Sequence, residues 1–405
     1  MSIILHIDMN SYFASVEQQA NPFLRGKPIG ITGKQQERSI VATASIEAKR
    51  LGVKTAMSTW EAKRICPSLI LYPGDPEKYS HIKNRFNAIY HEFTDHVEEF
   101  SVDESFLDIT ETAQDYLGAA CIALSIRDRL QQELGSCITA SIGIGPNRLI
   151  AKCSSEQVKP NGLTVTPPEH VLALLDQSRL QDLCGIGPRI ERRLHNLGIF
   201  SFKDLREFPL HLLVDEFKSY GFWLHEASHG REIPTRPSFH HATQDYPKSY
   251  GHSYTLPHDT DDPKEMQRYL LGLCDRVAWR LRRDKKQAKR ISLCIRYHDF
   301  SSVGQQRLLR EPLWDGLTLF KTAWRLFDTW RDDTKKVRLI GISVSSLFPS
   351  LETSSLFKKD RQKKSLQYAL DSLQTRYGQN AWTRASLLNV RLKERSSGFH
   401  FDHEL

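Results

Sequence analysis

With 405 residues, 40% of them hydrophobic, the chain is long enough for two to four packed domains. No run of 18 or more apolar residues occurs, which argues against a membrane span, and no basic start followed by a long apolar stretch marks a secretory leader. The net charge of +8 suits a polyanionic partner without proving one.

Seven cysteines, at 66, 121, 137, 153, 184, 274 and 294, are scattered with no CxxC pair. That pattern predicts reduced thiols in a cytoplasmic protein, not a disulfide frame or a zinc site.

In chain order, the apolar run 3–7 predicts a short buried strand with Asp8 where it ends, and residues 12–19 a short helix. Open α/β sheets bind ligands beyond the carboxyl ends of their strands, so Asp8 is a candidate ligand; the alternative is a cap for the following helix. After a turn-rich link at 21–28, residues 29–32 and 39–44 read as strands. Helices over 46–52 and 59–66 follow, stopped by Gly52 and Pro67. This stretch lacks a large core.

Tyr79, Ile82, Phe86, Ile89 and Phe93 keep a helical period. Strands over 97–100 and 105–109 then flank two adjacent acids, Asp103 and Glu104. Neighbours in a flat strand point to opposite faces, so both acids serve one site only where the chain turns, as at a hairpin tip. Two carboxylates that close repel unless a cation neutralises them, and carboxylate, carbonyl and water ligands suit Mg²⁺. An Asp-Glu pair alone is more often a plain surface turn. With Asp8 as a third carboxylate it becomes a two-metal phosphoryl-transfer site. A long helix over 113–133, a strand over 137–145 and a helix over 147–156 complete this part. Gly143-x-Gly145 lacks the third glycine of a dinucleotide fingerprint.

Gly185-Ile186-Gly187-Pro188 lies between helical segments and reads as a helix-hairpin-helix. Its glycines let backbone N–H groups approach a phosphate, and Arg189, Arg192 and Arg193 follow. Such a turn grips the DNA backbone without reading sequence; the alternative is a plain Gly-rich connection. Residues 230–248 form a polar linker whose histidines lack ligand spacing. Behind it lies a second α+β unit, with strands over 249–256, 291–298, 307–309 and 338–345 and helices over 263–285 and 317–330. Residues 241–345 hold 20 lysines and arginines against 13 acids, nearly the whole net charge. Arg280, Arg282, Arg283, Lys285, Lys286, Lys289 and Arg290 cluster where a helix meets a strand, which suits phosphate tracking. A solvated helix end is the alternative. From 347 the chain is polar and weakly periodic, with a helix over 366–377 and a basic run at 358–364 read as solvated tail.

The segment from Ile7 to Glu17, read with Ser101-Val102-Asp103-Glu104-Ser105, resembles the paired signature of the Y-family translesion DNA polymerases, in their DinB-type, or polymerase IV, branch. The match runs in register to about residue 345. Ser141 to Lys152 and Val158-Lys159-Pro160-Asn161-Gly162 resemble further motifs of the same family.

The resemblance implies an α+β multidomain right hand. Its palm, a mixed sheet plus helices, takes residues 1–18 and 77–166. The fingers take 19–76, the helix-hairpin-helix thumb 167–232, a linker 233–242, the α+β little finger 243–346 and a tail 347–405. It implies that Asp8, Asp103, Glu104 and the Met9 backbone carbonyl hold two Mg²⁺, with Mn²⁺ able to substitute. Tyr12 is a nucleotide-binding residue, and Phe13 beside it is the steric gate against ribonucleotides; the alternative for Phe13 is a core phenylalanine. Thr43, Lys49 and Lys159 meet the triphosphate. The family's Arg position holds Lys49 and its Tyr position holds Ile46, which cannot donate a hydrogen bond. That departure predicts weaker nucleotide binding, or compensation by Lys159 and a second cation such as Lys54.

Gly185, Gly187, Arg189, Arg283, Lys286 and Arg290 are expected at the DNA. Thr353-Ser354-Ser355-Leu356-Phe357 resembles the sliding-clamp motif Gln-x-Ser-Leu-Phe, with Leu356 and Phe357 as anchors. The implied activity is low-fidelity, template-directed addition of deoxynucleotides to primer–template DNA, past damaged bases, by a monomer without a proofreading exonuclease. Two rivals are a non-catalytic homologue acting as a scaffold, disfavoured by three intact carboxylates, and a metal-dependent nuclease, in which Phe13 and Lys159 have no role.

Overall fold

The computed structural model describes residues 2–33, 39–233, 247–350, 357–378, 381–388 and 392. Residues 1–243 group into one compact unit and 244–394 into another.

The first unit runs β1 (Ile4–Met9), α1 (Tyr12–Ala20), β2 (Ile29–Thr32), β3 (Thr43–Ala44), α2 (Ile46–Arg50), α3 (Thr59–Ile65), β4 (Ile70–Pro73), α4 (Pro76–His91), β5 (Val97–Glu99), β6 (Glu104–Asp108), α5 (Thr110–Ala113), α6 (Tyr116–Leu134), β7 (Ala140–Gly145), α7 (Arg148–Gln157) and β8 (Leu163–Val165). Its main sheet has the order β5-β6-β1-β7-β8. It is mixed: β1 pairs antiparallel with β6 and β7, and β7 pairs parallel with β8. β1 is buried throughout, the reason its sequence is a near-continuous apolar run. Leu5, Ile7 and Met9 point into the core built with α1, α4 and α6. Ile4, His6 and Asp8 point to the other face, where α7 lies.

Gly143 and Gly145 make that packing possible. A Cβ on Gly143 would sit 2.1 Å from the Ala151 carbonyl oxygen, and one on Gly145 2.7 Å from the Ala151 nitrogen. The two glycines thus seat α7 directly on the sheet. A smaller sheet, β3-β2-β4, with α2 and α3, holds a minor core around Val41, Ala44, Ala48 and Leu69.

Two expectations here need correction. The strand predicted over 39–44 shrinks to Thr43–Ala44, with Ile40 making only an isolated bridge to Ser58. The long helix predicted over 113–133 starts three residues later, at Tyr116, and runs unbroken to Leu134. Asp115 caps α6 by accepting from the Gly118 N–H at 2.7 Å, and Gln114 takes φ +58°. A cap outcompetes continuation because it satisfies an otherwise orphaned donor.

The unit closes with five helices, α8 (Val171–Gln177), α9 (Pro188–Asn196), α10 (Phe202–Glu207), α11 (Leu210–Phe217) and α12 (Ser219–Ser228). Their core includes Ile150 and Cys153 of α7.

The second unit runs β9 (Ser249–Thr260), α13 (Pro263–Arg283), β10 (Lys286–Tyr297), β11 (Ser302–Leu313), α14 (Gly316–Trp330), β12 (Val337–Pro349) and α15 (Lys358–Tyr377). The antiparallel sheet has the order β11-β10-β12-β9. Its inward residues, among them Tyr250, Ile291, Leu293, Ile340 and Val344, pack against α13 and α14.

The segment after β12 is more than a solvated tail. Asp371 of α15 takes Arg282 bidentately at 2.6 and 2.8 Å, and Lys363, from the basic run, meets buried Asp315 at 3.1 Å. Arg384 takes Asp275 bidentately, Leu387 is buried, and Leu392 packs with the core of the unit. The linker residues 234–246 and the clamp-like residues 353–356 lie outside the described residues.

Candidate active site

Asp8 and Glu104 are direct partners in the β1–β6 register, so their side chains share a face. Asp103 precedes β6 in the turn of the β5–β6 hairpin, as expected from the acid pair. Its carbonyl accepts from the Met9 N–H at 2.9 Å, and its Oδ1 accepts from Ser101 Oγ at 2.7 Å. Burial pushes both Asp8 and Asp103 above the ordinary carboxyl range; for Asp8 the pull of Lys159 runs the other way.

α7 and the loop after it bring charged groups to this face. Lys152 pairs with Glu104, and Lys159 pairs with Asp8 and, at 2.7 Å, with Glu156. Burial opposes the charge on Lys159, but Asp8 and Glu156 outweigh it and keep the ammonium above its usual pKa. Asp8, Glu104 and Glu156 have carboxylate oxygens within 4.8 Å of one another. Such oxygen donors suit a hard divalent cation, so the residues present fit one. Glu156 joins this group, and Asp103, in the neighbouring turn, feels the charge of Asp8.

His6 sits beneath the site, fully buried. Ser155 Oγ donates to the Lys152 carbonyl at 2.8 Å, and His6 Nδ1 lies 2.7 Å from the same hydroxyl. His6 Nε2 faces Glu104 Oε1 at 3.9 Å. Burial, then Lys152 and Lys159, hold the imidazole neutral.

Phe13 stacks on Tyr79 at 4.4 Å and 13°. Tyr79 is itself held by buried Glu17, which accepts from its hydroxyl at 2.9 Å and from Lys78 at 2.7 Å. Phe13 is therefore a rigid wall. The Tyr12 ring is buried and its hydroxyl donates to the Tyr79 carbonyl at 2.6 Å, so its side chain is taken up by the fold, while its backbone N–H lies in the first turn of α1. Met9 ends β1 with its side chain buried. Thr43 is half-buried on β3. Lys49, on α2, has its pKa lowered by burial and then by Lys159, against the pull of Asp8, Asp103 and Glu156. Ile46 is half-buried on the same helix, and Lys54 is exposed.

At the start of α9, Gly185 has φ +115°, and a Cβ there would strike Trp223 and the Tyr220 hydroxyl. Gly187 is different: a Cβ there would meet nothing within 4 Å, so the protein itself does not require glycine. Arg189 and Arg192 are exposed beside it, whereas Arg193 turns back to Glu216 at 2.7 Å.

In the second unit the basic cluster divides. Arg282 is held by Asp371, and Arg283 by Asp284 at 2.8 Å with Trp279 under its guanidinium. β10 and β11 change register between Ala288 and Arg290; Ala288 and Ile291 are both buried, and Arg290, next to Ile291, turns to the opposite side. Arg290 shares that open face with Ser292, Cys294 and Arg296, opposite Ser345, Ser343, Gly341 and Leu339 of β12. The face is built of small residues, a feature the charge count missed.

The comparisons agree with this geometry. Residues 7–156 match the impB/mucB/samB family and residues 247–358 its C-terminal domain. The chain is 35% identical over 414 residues to DNA polymerase IV of Bacillus velezensis, covering 99% of this chain and 97% of that protein. It is 35% identical over 343 residues to DNA polymerase IV of Bacteroides fragilis, covering 85% and 92%. Among solved structures, a Y-family DNA polymerase chimera, Dbh-Dpo4(243-245)-Dbh, superposes with TM-score 0.75 at 26% identity, over 86% of this chain and 99% of that one. The chain belongs to the Y family of DNA polymerases. DinB from Sulfolobus solfataricus is a further neighbour, with TM-score 0.55 at 26% identity, over 85% and 98%. Among the described residues no helix is long and apolar enough to cross a membrane.

Proposed function

We propose that the chain is a template-directed DNA polymerase of the translesion type, extending a primer 3′-end at low fidelity and without proofreading. The observation that carries this reading is the gathering of Asp8, Glu104 and Lys159 on one face, with Asp103 at its edge, in a chain whose Phe13 is stacked on Tyr79.

Asp8, Asp103, Glu104 and the Met9 carbonyl are the groups assigned to hold two divalent ions, Mg²⁺ by donor hardness, with Mn²⁺ able to substitute. When bound, such ions lower the pKa of the primer 3′-hydroxyl and neutralise phosphate charge. Lys159 and Lys49 present ammonium groups to the triphosphate and stabilise charge on the leaving pyrophosphate. Thr43 and the first turn of α1 add hydrogen-bonding groups. Phe13, backed by Tyr79, fills the space a 2′-hydroxyl would need. Glu156 is assigned a share in the acidic group or in holding Lys159.

Residues 1–18 and 77–166 serve as palm, 19–76 as fingers, 167–232 as thumb and 243–346 as little finger. The N-terminus of α9, with Gly187 and Arg189, grips a DNA backbone, and the open face bearing Arg290 and Arg296 lies against sugar and phosphate. Phe357, 73% exposed just before α15, is assigned with Leu356 to a sliding clamp. Loss of clamp capture by the double Leu356→Ala, Phe357→Ala variant supports that assignment; capture by a chain ending at 346 removes it.

A 5′-labelled primer on an undamaged template, incubated with Mg²⁺ with and without deoxynucleotides, tests the activity. Lengthening with nucleotides and no shortening without them is the expected pattern. Shortening would favour the nuclease.

A further inference from the structure

The loop that carries Lys159 is fastened by a residue with no part in the chemistry above. Asn10 follows Met9 and is buried, 6% exposed. Its Oδ1 accepts from the Asn161 backbone N–H at 2.7 Å and from the Thr139 hydroxyl at 3.1 Å. Its Nδ2 donates to the Ser141 hydroxyl at 3.0 Å. On the far side of the same residue, the Asn161 carbonyl accepts from Arg127 of α6 at 3.0 Å. Asn161 takes φ +58°, a left-handed conformation that asparagine tolerates better than most residues. The Gly162 carbonyl then accepts from the Ile142 N–H at 2.9 Å. The chain two residues beyond Lys159 is thus clamped between β1, α6 and β7.

We propose that Asn10 is a positioning residue for nucleotide binding: through Asn161 it fixes the loop from which Lys159 reaches the site, with Arg127 as a second tether. This rests on the reading of Lys159 as a triphosphate contact. Lysine has a flexible four-carbon stem, so its ammonium is only as well placed as its Cα. A loop free to shift by about 1 Å costs on the order of 10²-fold in rate. Asn10 reaches Lys159 only through the backbone, so its influence passes through that residue.

The test is single-nucleotide incorporation by the full chain, with kcat and KM measured separately for N10A, N10D, R127A, K159A and the pairs N10A/K159A and R127A/K159A. K159A and N10A are each expected to lower kcat/KM for the nucleotide about 10-fold or more, the rise in KM reporting triphosphate binding and the fall in kcat the leaving-group role. In the K159A background N10A should add less than about twofold, because two changes acting through one group are not additive. N10D keeps both acceptor contacts and should restore kcat/KM to within about threefold of wild type. R127A, a half-buried change on α6, should lower kcat/KM a few-fold only while Lys159 is present. If N10A does not fold, the R127A pair decides by the same criterion. An N10A or R127A effect that persists undiminished without Lys159 overturns the proposal. So does a wild-type kcat/KM in both when K159A is impaired. A wild-type kcat/KM in K159A overturns the triphosphate reading itself and this inference with it.

Discussion

The two units handle charge in opposite ways. Around β1, opposite charges meet face to face: Lys159 lies between Asp8 and Glu156, Lys152 meets Glu104, and Arg148 bridges Glu98 and Glu232 at 2.7 Å each. In the second unit, arginines of α13 answer internal acids, Asp371 and Asp284, while the open sheet face carries mostly small neutral residues. A site for a highly charged ligand is therefore recognised by paired charges that a ligand can separate. A surface for a long polyanion is recognised by flatness and a few outward cations. Net charge alone distinguishes neither.

The comparison can be broken at four points. Phe13→Val removes the wall that Tyr79 supports, and discrimination against ribonucleotides should fall by about 10²-fold; unchanged sugar selectivity in competitive incorporation would refute the gate. Asp371→Ala leaves Arg282 mostly buried without its carboxylate and should destabilise the second unit by about 2 kcal/mol in urea unfolding. No loss of stability would mean that α15 is a solvated tail after all. Arg290→Ala with Arg296→Ala should weaken primer–template binding about 10-fold near physiological salt and flatten the slope of log affinity against log salt by up to about 0.9 per lost phosphate contact. Equal slopes would remove the open face from the DNA.

The smallest effect concerns stability. Burial raises the folded pKa of Asp103, so its contribution to stability is present below the unfolded pKa and is lost as pH rises through the folded one. Asp103→Asn, in chelator at pH 8, should therefore raise Tm by about 2 °C, the gain shrinking as pH falls toward the ordinary carboxylate range. A lower Tm at pH 8 would show that burial is not what raises this carboxyl.

Much of the first site was legible because its signals are local. An apolar run ending in Asp8 and an acid pair between strand-like segments require only chain order. Lys152 and Glu156 stand one turn apart on α7 with Lys159 just past its end, a run of charges that the apolar period does not reveal. His6 was a polar residue inside a buried strand, and Asn10 a polar residue just past it; neither declares a partner until β7 and α7 are in place. The start of α6 at Tyr116 was hidden because one cap and one close approach decide it. The open face of the second sheet was least legible. A register change between β10 and β11 accompanies the outward turn of Arg290 beside buried Ile291, and register is a property of paired strands, not of one segment.

The most direct measurement is single-deoxynucleotide addition to a primer–template in Mg²⁺ by wild type beside Asp103→Ala, with DNA affinity measured for both. The account predicts extension by wild type, a fall of at least about 10³-fold in the variant, and equal DNA binding. Extension by Asp103→Ala at the wild-type rate, or none by wild type that binds DNA normally, would contradict it.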